Sequence, residues 1–356
     1  MPNSAREAQA FVQEYIPRVS RTFALTIKFL PPGLRHAVYN AYLLCRVADT
    51  IEDSPYIVRE EKRQRLMDLS ALLDGSVELG RNDIAKLTSG LSGIQADIKR
   101  DHDHRLLGEI ENLLKYLNDL RPEQRHSIFR WASEMARGMA HYSSLPSGTA
   151  DKISTLSDCE DWDKYCYYVA GTVGKMLTEL FIENYDFDDE LASRLKALDI
   201  SFGLGLQKVN VIKDMPNDRG RGIYYLPGDI ISEYNLTGNS LHLETDSGRI
   251  GGLVHKLIEL TIGHLDDAMR YTLQFPGRYR GVRMFLAVPV FLAIETLRKL
   301  KANPIQTVAG PPVKLSRGDV LRIVNASLLK AGSNKMLLEY YLNLRKKGDY
   351  TAPMAF

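Results

Sequence analysis

Between residues 34 and 53 the apolar side chains do not keep to one stripe. Ala37, Val38, Ala41, Leu43, Leu44, Val47, Ala48 and Ile51 are spread around nearly the whole circumference of a predicted helix, the pattern of an interior segment. Helical periodicity runs through most of the chain and predicts helices at 5–15, 20–30, 34–53, 58–75, 81–98, 104–119, 122–141, 159–184, 188–217, 247–274, 281–300 and 316–346. The breaks coincide with Pro31-Pro32, Arg121-Pro122, Pro146-Ser147-Gly148, Pro216, Pro227-Gly228, Pro276-Gly277 and Pro311-Pro312. Period-two alternation is scarce. The expectation is an all-α protein, one large helical bundle with a central cavity. No Gly/Ser/Pro-rich linker, low-complexity run or repeat divides residues 1–356, so a single domain is expected.

Four aspartates interrupt these apolar patterns. Asp49 and Asp53 lie in AYLLCRVADTIEDS, and Asp214 and Asp218 in LGLQKVNVIKDMPND, each pair spaced i,i+4 and so on one helical face. Spacing alone says little, since 44 acidic residues in 356 give about five such pairs by chance, most of them on solvated faces. The apolar context says more. Two like charges repel by about 4 kcal/mol at ~4 Å and an effective dielectric near 20, in addition to their desolvation, so a cation is expected to compensate. Carboxylates without Cys or His nearby suit a hard ion such as Mg²⁺, which usually shares its shell with substrate phosphate. The second pair extends a polar stripe, Gln207, Asn210, Asp214 and Asp218, on a helix whose other faces carry Leu204, Leu206, Val209, Val211 and Ile212. Such a stripe either faces solvent or lines a wet, metal-holding cavity.

Cations flank the acidic pairs. Arg46 precedes Asp49 by three residues on the same face, Lys213 adjoins Asp214, and Arg21 follows Ser20, a candidate helix cap whose N-terminus would favour an anion. Tyr165, Tyr168 and Thr172 share a predicted face, with Val169, Gly171 and Gly174 permitting close packing. Other motifs fail. GTVGK at 171–175 lacks the glycine and the Ser/Thr of a phosphate loop, and no GxGxxG follows a strand. Asp101-His102-Asp103-His104 sits in the charge-dense run KRDHDHR and is expected to be a solvated turn or helix start rather than a metal site.

Composition narrows the classes further. The net charge is +2, and no basic stripe suggests a nucleic-acid partner. Cys45, Cys159 and Cys166 lack CxxC spacing and read as small buried hydrophobes in a reducing compartment. The longest apolar run, Met284–Ile294, contains a proline and is too short to span a bilayer. The N-terminal MPNSAREAQ has no apolar signal region.

On the stretches SRTF (20–23), YLLCRVADTIED (42–53), YCYYVAGTVG (165–174), LQKVNVIKDMPND (206–218) and YYLP (224–227), the chain resembles the squalene/phytoene synthase family. Weaker likeness continues through MFLAVPVFLAIETL (284–297) and VKLSRG (313–318), so it covers roughly residues 15–330. The LQKxNxIxD form is closer to the squalene-forming branch. The resemblance implies the isoprenoid synthase fold and head-to-head condensation of two farnesyl diphosphates to presqualene diphosphate, followed by NADPH-dependent reduction to squalene. It implies Mg²⁺ at Asp49, Asp53, Asp214 and Asp218 and a catalytic tyrosine at Tyr165. Substrate contacts are implied at Arg21, Phe23, Tyr42, Arg46 and Tyr168, and at Val169, Gln207, Asn210 and Phe285; Lys314 and Arg317 are implied for the NADPH phosphates. The expected partner is farnesyl diphosphate and the expected state a monomer. The chain ends at KKGDYTAPMAF without the C-terminal anchor of eukaryotic relatives, which suggests a cytoplasmic enzyme with peripheral membrane contact for product release. Two positions depart from the family pattern: Asn217 stands where an acid is frequent, and Ile223 where a basic residue is common, with Arg219 and Arg221 nearby. The alternatives are a non-reducing head-to-head synthase or a hydroxylating homologue, a helical lipid carrier, and a metal-dependent nucleotide pyrophosphatase.

Overall fold

The computed structural model describes residues 10–11, 14–16, 18, 23–54, 56–76, 87, 102–145, 153–185, 187–243 and 246–350. The expected helix at 81–98 falls almost wholly outside them, as does Arg21. The described chain is overwhelmingly α-helical, as expected, and forms two compact units that are each discontinuous in sequence. The first comprises residues 1–145 and 175–192, the second 146–174 and 193–356.

In the first unit, α1 is Phe23–Ile27, α2 Pro32–Asp53, α3 Arg59–Leu73, α4 His102–Gly108, α5 Ile110–Asn118 and α6 Pro122–Ser143. Prolines open α2 and α6, where a missing backbone N–H costs nothing. Helix α2 is buried on most sides, through Leu34, Val38, Leu44, Val47 and Ile51, and packs against α3, α4, α5 and α6. Its C-terminus is fixed by Lys62, whose Nζ donates to the Glu52 carbonyl at 2.6 Å, a cation placed at the negative end of the helix. Helices α3 and α6 are held together partly by a buried Ser70–Ser133 hydroxyl pair at 2.9 Å.

In the second unit, β1 is Ser154–Leu156 and α7 Cys159–Cys166; a π-helical turn, Tyr167–Gly171, follows and leads into α8, Thr172–Asn184, which passes into the first unit. Then come α9 Asp189–Lys196, α10 Asp199–Gly220, β2 Ile223–Pro227, α11 Gly228–Glu233, α12 Gly238–Leu241, α13 Ser247–Gln274, α14 Arg280–Ala302, α15 Pro304–Ala309, α16 Arg317–Lys330 and α17 Asn334–Lys347. Helix α14 is the most deeply buried, apolar around its circumference from Met284 to Leu292. Helix α10 packs on α13, α14 and the π turn. Glycine makes that last approach possible: a Cβ on Gly203 would collide with the Ala170 carbonyl, and one on Gly174 with the Asp199 carbonyl.

Several expected boundaries are corrected. The helix expected at 188–217 is two helices, and Pro216 does not end the second, which runs on to Gly220. Proline removes only the hydrogen bond to the Ile212 carbonyl there. The helix expected at 316–346 breaks at Ala331-Gly332-Ser333, where Ser333 caps α17 by accepting from the Met336 amide. No strand is expected there, yet Tyr224–Pro227 belongs to β2, which pairs in parallel with β1, Ser154 opposite Ile223 and Thr155 opposite Tyr224. Among the described residues no helix is long and apolar enough to cross a membrane.

Candidate active site

In the first unit, Asp49 and Asp53 occupy the last turns of α2. Asp49 keeps 31% of its side chain open. Its carboxyl is nevertheless pushed up to about 7, first by burial among apolar neighbours and further by Asp53 and Asp103, against the opposing pull of Arg46. Asp53 is exposed, although its neighbours Ile51, Glu52 and Ser54 are buried. Arg46 lies 3.7 Å from Asp49, and its Nε and Nη2 donate in a fork to Asp103 at 2.9 and 2.6 Å. The ion-paired carboxylate of Asp103 holds Arg46 protonated. Tyr42, one turn earlier on α2, is half-buried and close enough to act on Arg46 electrostatically.

KRDHDHR, expected to be a solvated turn or helix start, does start a helix, but the partnership with Asp103 shows that its side chains are not merely solvated. His102–Gly108 is helical, and His104 is buried with Nε2 3.0 Å from Ser54 Oγ. The charges were legible, but their partner 57 residues away was not. Asp101 lies outside the described residues, as does the side chain of Phe23.

In the second unit, Gln207, Asn210, Asp214 and Asp218 do share a face of α10, but it is not uniformly buried. Asn210 is exposed, Asp214 keeps 34% of its side chain open, and Asp218 only 7%. Lys213 lies 3.2 Å from Asp214 and donates to Asn210 Oδ1 at 3.0 Å, while Arg221 approaches Asp218 at 3.8 Å. Arg221 thus supplies positive charge beside the buried acid although Ile223 supplies none.

Tyr165 lies in the last turn of α7 and is buried, its ring stacked on Tyr225 of β2 with centroids 4.2 Å apart and planes within 6°. Tyr167, Tyr168, Val169 and Ala170 of the π turn are half-buried and Gly171 is buried, and Thr172 Oγ1 donates back to the Tyr168 carbonyl at 2.9 Å. A π turn adds a residue to the helical repeat, so the shared face expected for Tyr165, Tyr168 and Thr172 from a 3.6 period does not carry across it. The neighbouring side chain on the strand, Tyr224, is fully buried; its hydroxyl is pushed up to about 12, mainly by burial, with Arg219 opposing and Asp218 reinforcing. Phe285 is buried on α14. Lys314 and Arg317 are both exposed, Arg317 in the first turn of α16 after its Ser316 cap. Cys45 and Cys166 are buried as expected, whereas Cys159 is only half-buried.

One group escaped sequence reasoning altogether. Lys208 on α10 is 3% exposed, sits 4.4 Å over the Trp162 ring and pairs with Asp163. Asp163 lies two residues before Tyr165, so this pair ties the tyrosine-bearing helix to the helix carrying the second aspartate pair. On its other side, His264 approaches Asp163 at 4.0 Å and Ser201 Oγ at 2.8 Å; Ser201 in turn donates to Asp267 at 2.8 Å. A lysine amid apolar residues of LGLQKVNV was the one available signal.

A family model for squalene/phytoene synthases matches residues 16–319. The chain belongs to the squalene/phytoene synthase family. It is 31% identical over 342 residues to a Schizosaccharomyces pombe squalene synthase, covering 96% of this chain and 69% of the relative. A Candida albicans squalene synthase is 29% identical over 345 residues, 96% of this chain and 72% of its own length. The solved structure of TcSQS with the ligand BPH1237 superposes with a TM-score of 0.76 at 25% identity, covering 96% of this chain and 92% of the other. A dehydrosqualene synthase structure shares the fold at a TM-score of 0.59 and 17% identity, across 96% of this chain and the whole of the other. Membership of the squalene/phytoene synthase family makes the chain a prenyltransferase of isoprenoid biosynthesis. The matched span includes both aspartate pairs, Tyr165 and the Lys314–Arg317 segment.

The donor set suits the metal that this family implies. Among the described residues no three His, Cys, Asp or Glu side chains gather into a closed metal cage. Each aspartate pair offers two hard oxygen donors, and Mg²⁺ bound through one or two carboxylates completes its shell with water and phosphate. The raised Asp49 carboxyl marks a position where a cation would be welcome.

Proposed function

We propose that this prenyltransferase is a squalene synthase, joining two farnesyl diphosphates head to head into presqualene diphosphate and then reducing that intermediate to squalene. The observation that carries the reading is the likeness to squalene synthases over 96% of the chain, with both aspartate pairs and Tyr165 inside it. Asp49, Asp53, Asp214 and Asp218 would hold Mg²⁺ against substrate diphosphates. When bound, Mg²⁺ supplies Lewis-acid stabilisation of the leaving diphosphate, and NADPH supplies the hydride of the reductive half-reaction.

The chain's own groups do the remaining work. Arg46, anchored by Asp103, and Lys213, anchored by Asn210, hold positive charge fixed beside the aspartates, so diphosphate oxygens meet oriented cations rather than mobile ones. In the first half-reaction the C–O bond of one substrate breaks, its electrons leaving with diphosphate. The alkene of the other substrate attacks the allylic cation, and a proton is lost as the cyclopropane closes. Tyr165 would orient that step, and its stacking on Tyr225 fixes the ring. A phenol is a weak base, so Tyr165 would relay the proton towards released diphosphate rather than keep it. Aromatic faces at Tyr42, Tyr168 and Phe285 would stabilise the carbocations as they do other cations. Lys314 and Arg317 would meet the phosphates of NADPH.

The aspartate assignment is tested by Asp53→Asn and Asp214→Asn. Each removes one carboxylate charge at a partly open position, so folding should change little while squalene formation falls by about 10²-fold or more. Near-normal rates at saturating Mg²⁺ in either variant would remove that aspartate from the metal site.

A further inference from the structure

Helices α16 and α17 turn outward the kind of face that other helices of the unit bury. Leu321, Leu328 and Leu329 are 60%, 43% and 76% exposed, and their i, i+7, i+8 spacing places them on one stripe of α16. Met336 and Leu342 are 40% and 39% exposed on α17. The inner faces, with Ile323, Val324 and Ser327 on α16 and Leu337, Tyr341 and Leu344 on α17, are buried; both helices pack on α14 and touch each other. Their outer faces therefore form one continuous surface. Lysines border its apolar part: Lys335 and Lys346 share the stripe of Leu342, and Lys347 shares that of Met336. Glu339, 4.0 Å from Lys335, is the acidic residue on this stripe. Residues 320–350 contain six basic and two acidic residues; with Arg345 buried against Asp266, the exposed side chains keep a surplus of three positive charges in a chain whose total is +2.

We propose that this surface docks the enzyme on an anionic lipid bilayer. Leucines on the outer side of a helix, bordered by lysines, match the two phases of a membrane interface: the apolar side chains enter the acyl boundary and the ammonium groups meet anionic headgroups. A second copy of the chain is a poorer occupant, because a symmetric contact would bring two positively charged faces together. The docking surface gives a structural location to the peripheral membrane contact expected from the sequence.

The test is co-sedimentation of the full chain with vesicles of phosphatidylcholine alone and of phosphatidylcholine mixed with phosphatidylglycerol. The unmodified chain should bind the mixed vesicles and be released by added salt. Leu321→Ser/Leu329→Ser and Lys335→Glu/Lys346→Glu should each weaken binding by about tenfold or more, with turnover of detergent-dispersed substrate unchanged. Three results would overturn the proposal: no binding by the unmodified chain, binding by both variants as tight as that of the unmodified chain, or self-association in sedimentation velocity that Leu321→Ser/Leu329→Ser abolishes without vesicle binding. The vesicle assay requires no turnover, so its outcome is independent of the product assays.

Discussion

At the scale of single residues, Tyr165 and Lys208 make different demands. Tyr165→Phe keeps the ring that stacks on Tyr225 and loses only the hydroxyl. Formation of presqualene diphosphate should fall by about 10²-fold or more, while conversion of supplied presqualene diphosphate suffers less. Equal losses in the two half-reactions, measured separately, would assign Tyr165 to packing instead. Lys208 acts at one remove, by fixing Asp163 and with it the helix that carries Tyr165. Lys208→Met keeps most of the buried volume but leaves the buried Asp163 Oδ1 without its cation, so stability should fall by about 1–3 kcal/mol. Turnover should fall by about tenfold to a hundredfold, since small misplacements of a reacting group are costly. Because both residues serve one contact, Lys208→Met/Asp163→Asn should be no slower than the slower single variant; additive losses would separate their roles.

At the scale of elements, the packing of α10 on the π turn depends on bare glycine. Alanine is favoured over glycine in a helix by about 1 kcal/mol, yet a Cβ at Gly203 would press on the backbone carbonyl of Ala170, which cannot rotate aside. Gly203→Ala should therefore destabilise by about 1–3 kcal/mol despite its helix propensity, visible as a lowered Tm, and should also slow turnover by displacing α7. Asp319 is the corresponding test for α16. It closes the Ser316 capping box and accepts from Lys299 at 2.8 Å, and these bonds hold its carboxyl below the usual range. A lowered folded-state pKa stabilises above the ordinary carboxylate pKa and ceases to do so as pH falls through the lowered value. The Tm gap between the unmodified chain and Asp319→Asn should thus be widest near neutrality and narrow in acid.

These elements also show what a sequence can convey. Helix α14, apolar on all sides from Met284 to Leu292, and α2, opened by Pro32, could be read directly because burial and proline leave local marks. The aspartate pairs were legible as carboxylates in apolar surroundings. The π turn was not, since YYVAG carries no signature of an extra residue in the repeat. Nor was the pairing of β2 with β1, which depends on a contact about 70 residues distant rather than on alternation within IYYLP. Arg46 with Asp103 and Lys208 with Asp163 were invisible for the same reason: each ion pair is set by tertiary packing, and neither partner announces the other.

At the scale of the whole molecule, the central claim is that one protein both condenses and reduces. Ionisation and coupling need the aspartates, fixed cations and a dry aromatic surface, whereas quenching the rearranged cation needs an external hydride. The decisive measurement is product analysis with farnesyl diphosphate and Mg²⁺, first without NADPH and then after NADPH is added. Presqualene diphosphate should accumulate with release of diphosphate and then be converted to squalene. Formation of dehydrosqualene as the main product whether or not NADPH is present would contradict the reductive assignment.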